Sequence, residues 1–166
     1  METGTTTLAS RGSDERFPRN TRWSATVSGD GNLIAFVTSG LDIAPEDVCA
    51  CLKVVLYDVA AGTSTTVSKN SDGEPIDPPE AYSLDPAISA DGSAIAFTSY
   101  VSNFVRQTVL ASGSWTGGSA HGTAGVPAIS GDGSIVAYNS SAVDIVQDMP
   151  SRDPYGISWI YAYRNF

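Results

Sequence analysis

Ser24-Ala-Thr-Val-Ser-Gly-Asp30-Gly31-Asn-Leu-Ile-Ala-Phe36 is written three times in this chain. It returns as Asp85-Pro-Ala-Ile-Ser-Ala-Asp91-Gly92-Ser-Ala-Ile-Ala-Phe97 and as Val126-Pro-Ala-Ile-Ser-Gly-Asp132-Gly133-Ser-Ile-Val-Ala-Tyr138. Each copy joins two short apolar runs through Ser-x-Asp-Gly. Asp-Gly between such runs supplies the positive φ angles of a tight two-residue turn, so each copy is expected to be a β-hairpin, with Asp30, Gly31, Asp91, Gly92, Asp132 and Gly133 as its structural turn motif. Self-similarity at a period of tens of residues points to a repeat architecture, solenoid or propeller, rather than to an ordinary sandwich.

The second run of each copy narrows the choice. Strand alternation puts Ile34 and Phe36 on one face and Leu33, Ala35 and Val37 on the other. The equivalents are Ile95 and Phe97 against Ala94 and Ala96, then Val136 and Tyr138 against Ile135 and Ala137. Both faces are apolar, so these strands are expected to be covered by protein on both sides. The alanine at 35, 96 and 137 would let a neighbouring sheet approach closely. Radially stacked blades, each sheet sandwiched by the next, meet that requirement.

The pattern Pro-Ala-Ile-Ser-x-Asp-Gly-x-x-Ile-Ala-Phe, clearest from Asp85 to Ser99, resembles the WD-like repeat of TolB-like β-propellers. Asp58-Val-Ala-Ala-Gly62-Thr-Ser-Thr-Thr-Val-Ser68 resembles the family's third-to-fourth strand turn, and Glu2-Thr-Gly4-Thr-Thr-Thr-Leu-Ala-Ser10 resembles the same turn of a preceding blade. The resemblance implies an all-β fold of propeller blades in a single region, 1–166. Residues 1–22 would be a closing outer strand and loop, 23–69 a first repeat, 70–125 a shortened second repeat and 126–166 a third. The turn motifs lie 61 residues apart between Asp30 and Asp91 but 41 apart between Asp91 and Asp132, so the second repeat lacks the equivalent of Leu52 to Gly62. That blade is expected to have three strands, or to recruit one. The chain stops at Phe166 where the family continues into Thr-Gly-Thr-Thr, the segment its N-terminus supplies, so the first strand could pair with the last. Three repeats fall below the four to eight blades of such rings. Two resolutions follow: a homodimer completing a six-bladed ring, or a piece of a longer propeller.

Composition bounds the partners. The chain of 166 residues carries a net charge of −9, with lysine only at positions 53 and 69. This acidity disfavours nucleic acid and anionic membranes. No apolar run approaches the ~20 residues of a transmembrane helix, which argues against membrane insertion. The opening Met1-Glu-Thr-Gly does not read as a signal peptide, while the resemblance implies a periplasmic or extracellular setting. Cys49 and Cys51 supply at most two ligands where a structural zinc wants four, and a bond closing so small a ring would be strained, so both are read as small apolar side chains, with an intermolecular disulfide or a redox role as the alternatives. Arg11, Arg16, Arg19 and Arg22 could grip an anion or cover acidic neighbours. Glu74, Asp77, Glu80 and Asp85 invite calcium, but their spacing does not follow an EF-hand loop. No metal site is assigned.

The chemistry-bearing loop is Gly113-Ser-Trp115-Thr-Gly-Gly-Ser119-Ala-His121-Gly-Thr-Ala-Gly125. Its Trp115 and His121 are the side chains that the fold does not explain, and they are taken as ligand-binding. Gly117-Gly-Ser119-Ala-His121 is not a Gly-x-Ser-x-Gly elbow and lacks the strand-turn-helix context, so no catalytic residue is assigned. Asp42, Asn103 and Asp144 share one repeat position, where a side-chain oxygen would cap a turn by accepting backbone N–H bonds. The resemblance implies a non-catalytic scaffold that binds a protein or ligand. The alternative is an accessory propeller of a peptidase or polysaccharide-degrading enzyme, with the catalytic part outside this chain.

Overall fold

The computed structural model describes residues 4, 6–10, 21–44, 50–69, 82–99, 111–112, 114–118, 120–147 and 158–164, the first three residues of the opening strand by their backbone alone. Those residues are all-β, with no helix. Nine strands form three antiparallel sheets: β1 (Thr21–Val27), β2 (Leu33–Thr38), β3 (Lys53–Asp58) and β4 (Thr63–Thr66) in order 1-2-3-4; β5 (Ser83–Ile88) with β6 (Ile95–Ser99); and β7 (Ala124–Ile129), β8 (Ile135–Ser140) and β9 (Trp159–Arg164) in order 7-8-9. The three repeated stretches are the hairpins β1–β2, β5–β6 and β7–β8. Each first strand carries a register shift. In the second and third hairpins the residue before proline within that shift, Asp85 and Val126, takes a positive φ of 50° and 47°.

The turn itself differs from the expected two-residue form. In the first hairpin the Ser28 N–H donates to the Leu33 carbonyl at 2.9 Å, leaving Gly29 to Asn32 as a four-residue loop, and the Gly31 N–H donates to the Ser28 carbonyl at 3.0 Å. Only the glycine has a positive φ, 77° at Gly31, 73° at Gly92 and 73° at Gly133. The reason is the serine. Its hydroxyl donates to the aspartate at 2.6 Å in all three copies and accepts the N–H of the residue five positions on, Leu33, Ala94 or Ile135. A two-residue turn would have no room for that clasp. The serine bond first, then the backbone N–H two residues beyond, hold each carboxyl below its ordinary range, Asp132 down to about 2.

The first sheet is the best buried. Phe36, Ile43, Val55 and Tyr57 form its cluster, with Ala9 and Ile34 packed against it, while Ala35, Val37 and Val54 are buried on the opposite face. Double-sided burial therefore holds for β2 and β3, whereas β6 and most of β8 are half-buried. The Lys53 ammonium, inside the protein, donates to the Gly40 carbonyl at 2.6 Å.

Three expectations need correction. Residues 6–10 form no strand: Ala9 docks on the Phe36 cluster and Thr6 to Leu8 are exposed, so among the described residues β9 is paired with β8 alone. β1 begins at Thr21, inside the range 1–22 expected for the closing strand and loop. Cys51 is buried as expected but is disulfide-bonded rather than a free thiol, and the chain's only other cysteine, Cys49, lies outside the described residues. So do Arg11, Arg16, Arg19, Glu74, Asp77, Glu80, Asn103 and Ser119, and the side chain of Arg22.

Candidate functional site

The site grows out of the third sheet. β8 continues past Ser140 into Ser141-Ala-Val-Asp144, and the loop before β7 folds down onto that segment. The Thr123 N–H donates to the Ser141 hydroxyl at 3.1 Å, the Ser141 N–H to the Thr123 carbonyl at 3.0 Å, and the Ser140 hydroxyl to the same carbonyl at 2.8 Å. Gly122 makes the approach feasible, since a Cβ there would lie 2.4 Å from the Ala142 nitrogen. Any other residue would push the loop off its seat.

Asp144 then holds the two residues that the sequence singles out, Trp115 through its backbone N–H and His121 through both backbone and ring. Its backbone carbonyl accepts the Trp115 N–H at 2.9 Å; its carboxylate accepts the His121 N–H at 2.9 Å and lies 2.7 Å from the His121 Nδ1. A carboxylate only accepts, so Nδ1 carries a proton and Nε2 is left unbonded by the described residues. The His121 ring bond first, then the His121 backbone N–H, hold the Asp144 carboxyl below its ordinary range. The imidazole is 91% exposed and Trp115 is 55% exposed. The loop between them is pinned by Ser114, whose N–H donates to the Gly118 carbonyl at 2.9 Å and whose carbonyl accepts the Gly117 N–H at 2.9 Å.

A stacked tyrosine pair supports the site from within. The Tyr138 and Tyr161 rings lie 5.8 Å apart at 23°. Their hydroxyls donate to the carbonyls of Ala111 at 2.7 Å and Ala142 at 2.9 Å, so β8 and β9 hold both flanks of the loop system. Burial, and secondarily the Asp144 charge, push the Tyr161 hydroxyl up.

The arrangement presents an indole, an oriented imidazole and an anchoring carboxylate. Among the described residues the His121 ring is bonded to Asp144 alone, and no group of three metal-ligating side chains occurs. The six turn residues stand apart from this loop and serve the hairpins. Trp115 and His121 were legible as polar-loop residues without a packing role. Asp144 was legible only as a turn cap; its oxygens do accept backbone N–H bonds, but from a residue 23 positions earlier. Gly122 was missed, and its only signal was its place directly after His121. No protein-family model matches the chain, and no curated protein matches it.

Proposed function

We propose that the chain is a non-catalytic scaffold of TolB-like propeller type, three blades of a ring, that binds a protein or small ligand through the loop bearing Trp115 and His121. The observation that carries this reading is the grip of Asp144 on both residues: its carboxylate orients the exposed imidazole and its backbone carbonyl holds the main chain at Trp115 before any ligand arrives, which lowers the ordering cost of binding. An indole face takes apolar rings and sugar faces, and the outward Nε2 offers a hydrogen-bonding position to a polar group.

The test is a titration of the isotope-labelled chain with soluble oligosaccharides and with aromatic-containing peptides, read from the Trp115 indole and His121 ring signals. Binding is expected to perturb those signals, and Asp144→Ala is expected to weaken it while the β2 and β3 amides keep their shifts. Hydrolysis of ester, peptide or glycoside substrates by the chain alone would overturn the non-catalytic reading. Perturbations that bypass the loop would overturn the site.

A further inference from the structure

The three hairpin turns are linked in a row. The Gly29 N–H donates to the Ala90 carbonyl at 2.8 Å, and the Ala90 N–H donates to the Gly131 carbonyl at 2.8 Å. Gly29, Ala90 and Gly131 hold the same repeat position, so each turn gives to the next in one direction. Among the described residues the row has two open ends, the Gly131 N–H and the Gly29 carbonyl.

The side chains follow the same rule. Leu33 of the first sheet lies over Gly92 of the second, where a Cβ would meet its Cδ1 at 2.6 Å; Ala94 of the second lies over Gly133 of the third, where the distance would be 3.0 Å. The next members of the series are Ile135 and Gly31, and beside Gly31 there is open space. A third position agrees. Ile88, on the strand packed against β1 and β2, is 8% exposed, whereas its equivalent Val27 on β1 is 56% exposed. At the other end the alanine face of the third sheet is uncovered, with Ala128 and Ala162 exposed and Ile160 77% exposed.

The chain thus carries both halves of a contact that it makes twice internally: a receiving face on the third sheet and an entering hairpin, β1–β2. We infer that the alanine face of the third sheet takes the first hairpin of a second copy of this chain, with Ile135 over the second copy's Gly31 and the Gly131 N–H donating to the second copy's Gly29 carbonyl. The contact is head-to-tail, using different surfaces on the two copies, so it closes only if the rotation per copy permits. Two copies would give six sheets, within the range of closed rings. The contact rests on the row of turns; closure at two copies rests on the propeller reading above.

Sedimentation of the 166-residue chain over a concentration series tests it, with Val27→Lys and Ala128→Glu as variants. Both positions are exposed, so each variant is expected to keep the wild-type circular dichroism. The wild-type chain is expected to associate, reaching twice 17.3 kDa. Each variant alone is expected to associate at least about tenfold more weakly, because a charge enters an apolar seam. Their equimolar mixture is expected to regain association, since it contains one unaltered contact and one Lys–Glu contact. A wild-type chain that stays single at every concentration, variants that associate like wild type, or a mixture no stronger than its components would overturn the contact and give the face to another protein or to further repeats. Rescue by mixing with growth beyond two copies would keep the contact and sink the six-sheet ring.

Discussion

At each hairpin turn a carboxylate holds a charge that the surrounding hydroxyl and amide donors stabilise. Asp132 shows the consequence most plainly, because Ser130 and the Ser134 N–H depress its carboxyl to about 2 from an unfolded value near 3.8. A carboxyl lowered by folding contributes stability that is fully present above the unfolded value and is lost as pH falls through the folded one. The fall therefore belongs between about pH 4 and pH 2, with Asp30 and Asp91 acting in the same direction. Thermal melting followed across that window is expected to drop more steeply for the wild-type chain than for Asp132→Asn, whose amide does not titrate. A variant with an unchanged pH slope would show that the clasp at this turn is formed equally in the unfolded chain.

The hairpin is the element that couples these turns to packing, and Gly92 is where the coupling is tightest. It combines a φ of 73° with the Leu33 side chain directly over it, whereas Gly62, φ 67°, has open space around it. Alanine at Gly62 meets only the left-handed backbone penalty, about 1–2 kcal/mol. At Gly92 it also overpacks the seam, which adds about 1–3 kcal/mol. Denaturant unfolding is expected to rank Gly92→Ala below Gly62→Ala, and Leu33→Ala combined with Gly92→Ala is expected to cost less than the two single losses added together. Strict additivity would mean that the side chain and the glycine do not touch. This seam also marks how far the sequence could be read. Period-two alternation and Asp-Gly located all three hairpins, because those signals are local. The four-residue loop was hidden, because it depends on a serine hydroxyl reaching forward five positions. Trp115 and His121 stood out for lack of a packing role, but their anchor Asp144 belongs to another segment, and no local pattern joins them. The N-terminal threonines look like a strand, yet residues 6–10 form none and Ala9 packs, partly buried, against the Phe36 cluster.

Across the whole molecule, burial falls from the first sheet to the third. Val37, Val54 and Val55 are almost wholly inaccessible in a four-stranded sheet, whereas the third sheet has three strands and leaves Ile160 and Val126 in solvent. Amides open in cooperative units whose free energy follows the apolar contacts that must be broken, so the two ends should not open together. In the Val27→Lys variant, where the proposed contact is weakened, hydrogen exchange is expected to be slowest in β2 and β3 and fastest in β7 and β9. In the wild-type chain, raising the concentration is expected to slow exchange in β7 and β9 and at the first hairpin turn together, because the first hairpin of one copy would cover the third sheet of the other. Equal protection of the first and third sheets in the variant would mean that the molecule unfolds as one unit, with the turn-to-turn row of Gly29, Ala90 and Gly131 transmitting stability along its length.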